Sequence, residues 1–177
     1  MTLAVTTVAA ALVLAGCSSG SKPASSASPT GIPTATAGGA VVPYAATVSP
    51  GISVKGSTQH QPKVTIAPGT PEPTRLIAQD LVIGTGAVAN SKSTVSVSYI
   101  GVRFKTGKIF NNTYPAGQSL RIALPNTIPA WIKGIPGMRV GGVRAIVAPT
   151  ADAYGSTPPA VEVEGPLVFV VELQSLQ

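Results

Sequence analysis

The chain has 177 residues, with 12 Lys or Arg, 6 Asp or Glu and a formal net charge of +6. That length fits one ordinary domain plus an extension. A single cysteine (Cys17) and a single histidine (His60) exclude a disulfide framework, a Cys/His zinc site and a Cys–His dyad. Outside the N-terminus no run of 18 uncharged apolar residues occurs, which excludes a polytopic membrane protein. The positive charge is spread evenly: residues 18–71 hold Lys22, Lys55 and Lys63 with no acid, and residues 72–177 hold nine basic and six acidic residues. No three basic residues are consecutive, so a nucleic-acid partner is not expected.

Residues 3–16 form an uncharged, mostly apolar run. It is too short to span a bilayer and has the length of a signal-peptide core. It ends in Leu14-Ala15-Gly16-Cys17. This sequence resembles the bacterial lipobox, in which small residues admit the signal peptidase and the cysteine thiol carries the lipid. No Lys or Arg precedes the run. The expectation is a lipoprotein signal over residues 1–16 and lipidation at Cys17, placing the protein on the extracytoplasmic face of a bacterial cell membrane.

Of the 54 residues from 18 to 71, 39 are Ser, Thr, Ala, Gly or Pro. A segment of that composition has little apolar surface to offset its chain entropy. Residues 17–71 therefore read as a semi-extended tether stiffened by proline. Within 52–71, the alternation in Pro62-Lys63-Val64-Thr65-Ile66 suits a short strand added to the edge of the domain that follows.

From residue 72 the pattern changes. Leu81-Val82-Ile83 runs into a Gly84-Thr85-Gly86 turn. Residues 94–100 alternate strictly, so Val95, Val97 and Tyr99 share a face. Lys105-Thr106-Gly107-Lys108 is a hairpin turn with glycine where positive φ is needed. Residues 120–124, 143–148 and 167–173 supply further strands. One helix of about two turns is expected, capped by Asn126 or Thr127, with Pro129 in its first turn and Gly134 at its end. Residues 72–177 thus form an α+β domain, a sheet wrapped around one short helix.

Five motifs, in order, carry a resemblance. They are Val-Ser-Val-Ser-Tyr-Ile-Gly at 95–101, Thr-Gly-Lys-Ile-Phe at 106–110 and Gly-Met-Arg-Val-Gly-Gly at 137–142, then Pro-Thr-Ala-Asp-Ala-Tyr-Gly at 149–155 and Leu-Val-Phe-Val-Val-Glu-Leu at 167–173. Together they resemble the FKBP-type peptidyl-prolyl cis–trans isomerases, the immunophilins that bind macrolides. The resemblance implies an antiparallel sheet of five or six strands around the helix. It implies rotation of X–Pro bonds in proline-containing polypeptides, with no cofactor and no metal. It also implies a catalytic set of Tyr99, Phe110, Asn111, Trp131, Tyr154 and Phe169, with Trp131 as pocket floor and Tyr154 as hydroxyl donor. Leu120, Ile128 and Val161 match substrate-binding wall positions.

The chain departs from the family pattern at matched positions. Asn111 stands where Asp is usual and Ala116 where Arg is usual, so both ends of an expected ion pair are missing together. Leu120 replaces a Phe, and Ala130 replaces the Gly before the Trp. Two readings follow. The first is a monomeric, surface-anchored isomerase, of reduced activity, assisting the folding of exported proteins. The second is a weakly active or inactive module that binds proline-containing segments or an envelope partner. A substrate-binding import lipoprotein needs more chain than is present here.

Overall fold

The computed structural model describes residues 32–35 and 39–177. The signal segment at 1–16 and Cys17 lie outside the described residues. Ten strands are present among those described. Residues β1 (Thr34–Ala35), β2 (Pro43–Ser49), β3 (Ile52–Ser57) and β4 (Lys63–Ile66) precede the expected domain. The rest are β5 (Ile77–Gly84), β6 (Thr94–Arg103), β7 (Ile109–Asn112), β8 (Leu120–Ala123), β9 (Val143–Ala148) and β10 (Leu167–Leu176), with one α-helix, α1 (Pro129–Gly134), between β8 and β9.

The main sheet has the order β1-β5-β9-β10-β6-β7, and β8 also pairs with β6. Six of its strands are antiparallel; β1 joins β5 in parallel. The fold is therefore α+β, as the alternation and motifs imply. Along β10, Leu167, Phe169, Val171 and Leu173 face α1, while Val168 and Val170 face the opposite side. Val95, Val97 and Tyr99 of β6 lie on the α1 side, and Ile100, Val102 and Phe104 lie in the opposite core. A sheet buried on both faces reads as a near-continuous apolar run, which is the pattern of β10.

What covers the second face corrects the sequence reading. Residues 43–66 do not form a tether. They fold into a three-stranded antiparallel sheet, β2-β3-β4. Tyr44, Val48, Ile52 and Val54 are buried against Leu81, Val82, Ile100, Val102 and Val170. The strand anticipated at 62–66 forms, but it pairs with β3 and not with the main sheet. The segment's own apolar residues are too few for a core by themselves. The main sheet supplies a second apolar face, against which a few period-2 side chains complete a core.

The helix begins on Pro129, with Ile128 as its N-cap and no side-chain cap, so neither Asn126 nor Thr127 caps it. The Thr127 hydroxyl donates instead to the Leu124 carbonyl at 2.7 Å. The Ala130 N–H, which a helix of this length leaves without an internal partner, donates to the Asp152 carbonyl at 2.7 Å. At the other end Arg144 of β9 donates through Nη1 to the Gly134 and Pro136 carbonyls, at 2.9 and 3.2 Å. Asp80 of β5 holds that guanidinium in a two-point pair at 2.7 and 3.0 Å. A short helix that would be marginal alone is thereby fixed from both ends.

Candidate functional site

The α1-facing side of the main sheet and α1 border an open cavity of about 500 Å³. Its wall is formed by Tyr99, Phe110, Leu120, Ile128, Trp131, Tyr154 and Phe169, joined by Ile122, Asn126, Thr127 and Pro129. Trp131 sits at the centre of the aromatic set. Its ring meets Tyr99 edge-on at 4.9 Å between centroids and Phe169 at 5.9 Å. Phe110 meets Phe169 edge-on at 6.0 Å. These T-shaped contacts place ring edges against ring faces, the arrangement favoured by the aromatic quadrupole. The indole Nε1–H is buried and has no partner among the described residues, so Trp131 presents the cavity with apolar surface.

Local structure explains each position. Tyr99 lies where β6 has passed β8 and not yet met β7. Thr113 fills that gap: its Oγ1 accepts from the Tyr99 N–H at 2.8 Å and its own N–H donates to the Tyr99 carbonyl at 3.1 Å. Phe110 lies at a register shift, where β7 gains a residue opposite Gly101 and Val102. A Cβ on Gly101 would lie 2.4 Å from Phe110 Cζ, so only glycine admits the ring at its present height. Tyr154 lies in the 149–155 loop, which closes with the Gly155 N–H on the Thr150 carbonyl at positive φ. Asp152 of the same loop bonds α1 through its carbonyl to Ala130 and through its carboxylate to Lys133 at 2.6 Å. Tyr154 is therefore held in a fixed relation to Trp131.

Burial raises the Tyr99 hydroxyl above the ordinary tyrosine value, with Tyr154 nearby as the second cause. Burial likewise raises Tyr154. Both remain protonated donors at neutral pH. The lining carries no carboxylate, amine or imidazole.

Seven of the nine residues expected at the site from sequence thus come together in one cavity. Asn111 and Val161 do not. Asn111 is exposed and pairs in register with Gly101, at the rim of a four-residue edge strand. The bulge sets both Phe110 and Asn111 opposite Gly101; the Phe110 ring lines the cavity, whereas the exposed Asn111 is not part of its wall. Val161 is 67% exposed in a short 3-10 turn, and Val163 packs toward the core in its place. Sequence reasoning missed Ile122, Asn126, Thr127 and Pro129. Ile122 was recoverable, because it lies two residues from Leu120 on the same strand and shares its face. The other three belong to the irregular link between β8 and α1, which has no periodicity to read.

A helix-backed sheet is the arrangement the five motifs implied, and comparison with known proteins supports the family. The sequence model of FKBP-type peptidyl-prolyl cis–trans isomerases matches residues 86–174. The chain belongs to this family. It is 37% identical over 116 residues to the probable FK506-binding protein of Corynebacterium glutamicum, covering 65% of this chain and 98% of that one. It is 40% identical over 90 residues to the FK506-binding protein of Streptomyces anulatus, covering 50% and 73%. Among solved structures, FkpA from Escherichia coli superimposes with a TM-score of 0.54 at 33% identity, over 62% of this chain and 52% of that one. The β2–β4 sheet lies N-terminal to the matched residues.

Proposed function

We propose that this chain accelerates cis–trans isomerisation of X–Pro bonds in its aromatic cavity, on exported polypeptides at the bacterial cell envelope. The observation that carries the reading is the cavity itself: five aromatic rings converge, Trp131 forms the floor, and two protonated tyrosines are the donors.

The chemistry requires no nucleophile. The C–N bond's partial double-bond character sets a barrier of about 18–20 kcal/mol. For X–Pro the two isomers are close in energy, so the obstacle is kinetic. At the transition state the amide is twisted, resonance is lost and the carbonyl oxygen is less polar. An apolar wall favours that species over the planar, more polar ground state. A hydroxyl from Tyr154 or Tyr99 is available to hold a carbonyl or the pyramidal proline nitrogen. Uncatalysed isomerisation takes tens of seconds or more, slow enough to limit folding outside the cytoplasm. Lipidation of Cys17 would keep the domain, a monomer in this reading, on the membrane where exported chains emerge.

One observation favours a second reading, a proline-binding module with little catalysis. Asn111 and Ala116, which replace the family's usual Asp and Arg, are both exposed and outside the cavity wall. A protease-coupled or NMR exchange assay on a panel of X–Pro peptides separates the two. Acceleration supports the isomerase, and binding without acceleration supports the module.

A further inference from the structure

The turn between β3 and β4, outside the family-matched residues, reaches the back of the cavity wall. Gln59 adopts φ +66°, the one positive φ outside glycine among the described residues. That conformation is uncommon for a side chain larger than glycine and persists only where its surroundings hold it. Here it aims the Gln59 N–H at Glu172 of β10, donating at 2.9 and 3.1 Å to the two carboxylate oxygens. Glu172 is 3% exposed on the face away from the cavity. The Tyr114 hydroxyl donates to the same carboxylate at 3.4 Å. Two residues along the turn, Gln61 Oε1 accepts from Asn112 Nδ2 at 2.7 Å. Asn112 Oδ1 in turn accepts the Tyr114 N–H at 3.0 Å.

These bonds converge on residues 112–114. That segment directly follows Phe110 and Asn111 on β7, and its Thr113 clamps the backbone of Tyr99. β7 is a four-residue edge strand with an irregular register, so its ladder alone holds it weakly. We propose that the β3–β4 turn is a brace for the cavity wall. Gln61, acting through Asn112, and Gln59, acting with Tyr114 through Glu172, are positioning residues that set where the Phe110 ring stands. The N-terminal sheet would then tune the site as well as cover the outer face of the main sheet. The consequence for catalysis rests on the isomerase reading above; the positioning itself does not.

The test uses the full chain carrying Cys17→Ala, with Gln61→Ala and Tyr114→Phe combined to remove both side-chain ties while leaving the core intact. Phe110 is followed by ring-selective ¹³C labelling and NMR. The brace predicts displaced Phe110 ring resonances and a kcat/KM lowered roughly three- to tenfold, with a melting temperature close to the parent's. Gln61→Glu, which keeps an acceptor oxygen for Asn112, should hold the parent values that the Gln61→Ala single variant loses. Unmoved Phe110 resonances would overturn the proposal. So would a loss of activity that merely follows a loss of stability, or a Glu variant that fails to rescue. If the parent chain shows no isomerase activity, the functional reading fails, and the Phe110 resonances still decide whether the brace exists.

Discussion

Gly101→Ala adds a single methyl group to the wall of the cavity and changes nothing else by design. Gly101 is not among the residues with positive φ, so alanine fits its backbone. The added Cβ would stand 2.4 Å from Phe110 Cζ, 2.8 Å from Cε1 and 3.0 Å from Cε2. Carbon atoms meet favourably at about 3.5–4.0 Å, so the ring tip must retreat by roughly 1–1.5 Å. Its neighbour Phe169, 6.0 Å away between centroids, limits the directions open to it. Overpacking of this size costs about 1–3 kcal/mol of stability. A displacement near 1 Å in a wall that positions substrate lowers kcat/KM by about tenfold to a hundredfold, or about 1.4–2.7 kcal/mol in transition-state stabilisation. Thermal unfolding gives the first quantity and the peptide isomerisation assay the second. Phe110→Leu introduced beside Gly101→Ala should recover part of the lost stability by removing the clash. A variant with unchanged melting temperature and kcat/KM within twofold of the parent would refute the claim that β6 and Phe110 fix the cavity's shape.

Three further expectations follow, two from this geometry and one from the sequence around Cys17. Trp131→Ala removes the floor and should abolish binding of a prolyl peptide by titration, while destabilising the domain by about 3–5 kcal/mol; a folded variant with unchanged affinity would remove Trp131 from the site. Burial raises the Glu172 carboxyl above its ordinary value, against hydrogen bonds from Gln59, Gln174 and Tyr114 and the charge of His60, which lower it. The native state therefore binds this proton more readily than the unfolded chain does, so this group's contribution falls as pH rises from the ordinary value of 4.5 through the raised one. Relative to Glu172→Gln, the parent should gain stability on acidification through that window in chemical denaturation; an opposite slope would contradict it. Cys17→Ala should move the protein from the membrane to the soluble fraction, and continued membrane association would argue against lipidation.

The main sheet was legible because its strands alternate. Val95, Val97 and Tyr99 could be assigned to one face from residue order alone, and the turn at Gly107 follows from its chemistry; the structure gives it φ +65°. The cavity was legible where an aromatic fell on a matched motif position. What escaped was whatever depended on a partner distant in sequence. Tyr44, Val48, Ile52 and Val54 lie in a stretch rich in Ser, Thr and Gly, and their burial depends on Val82, Ile100 and Val170, far along the chain. Asn111 occupies a wall position in its motif, yet it is exposed on a short edge strand and does not line the cavity, which the motif alone does not announce. The cap of α1 was misread for the same reason. The Ala130 N–H, the donor open to a Thr127 cap, is taken by the Asp152 carbonyl, from a loop beyond β9.

In the proposed mechanism the cavity lowers the barrier to X–Pro rotation by surrounding the twisted amide with apolar surface. Its most direct test is NMR exchange between the cis and trans forms of a short X–Pro peptide, with and without the full chain carrying Cys17→Ala. Exchange well above the uncatalysed rate is expected, lost on Trp131→Ala and with no dependence on an ionisable group between pH 6 and pH 8. Exchange at the uncatalysed rate in the presence of a folded, peptide-binding chain would contradict it.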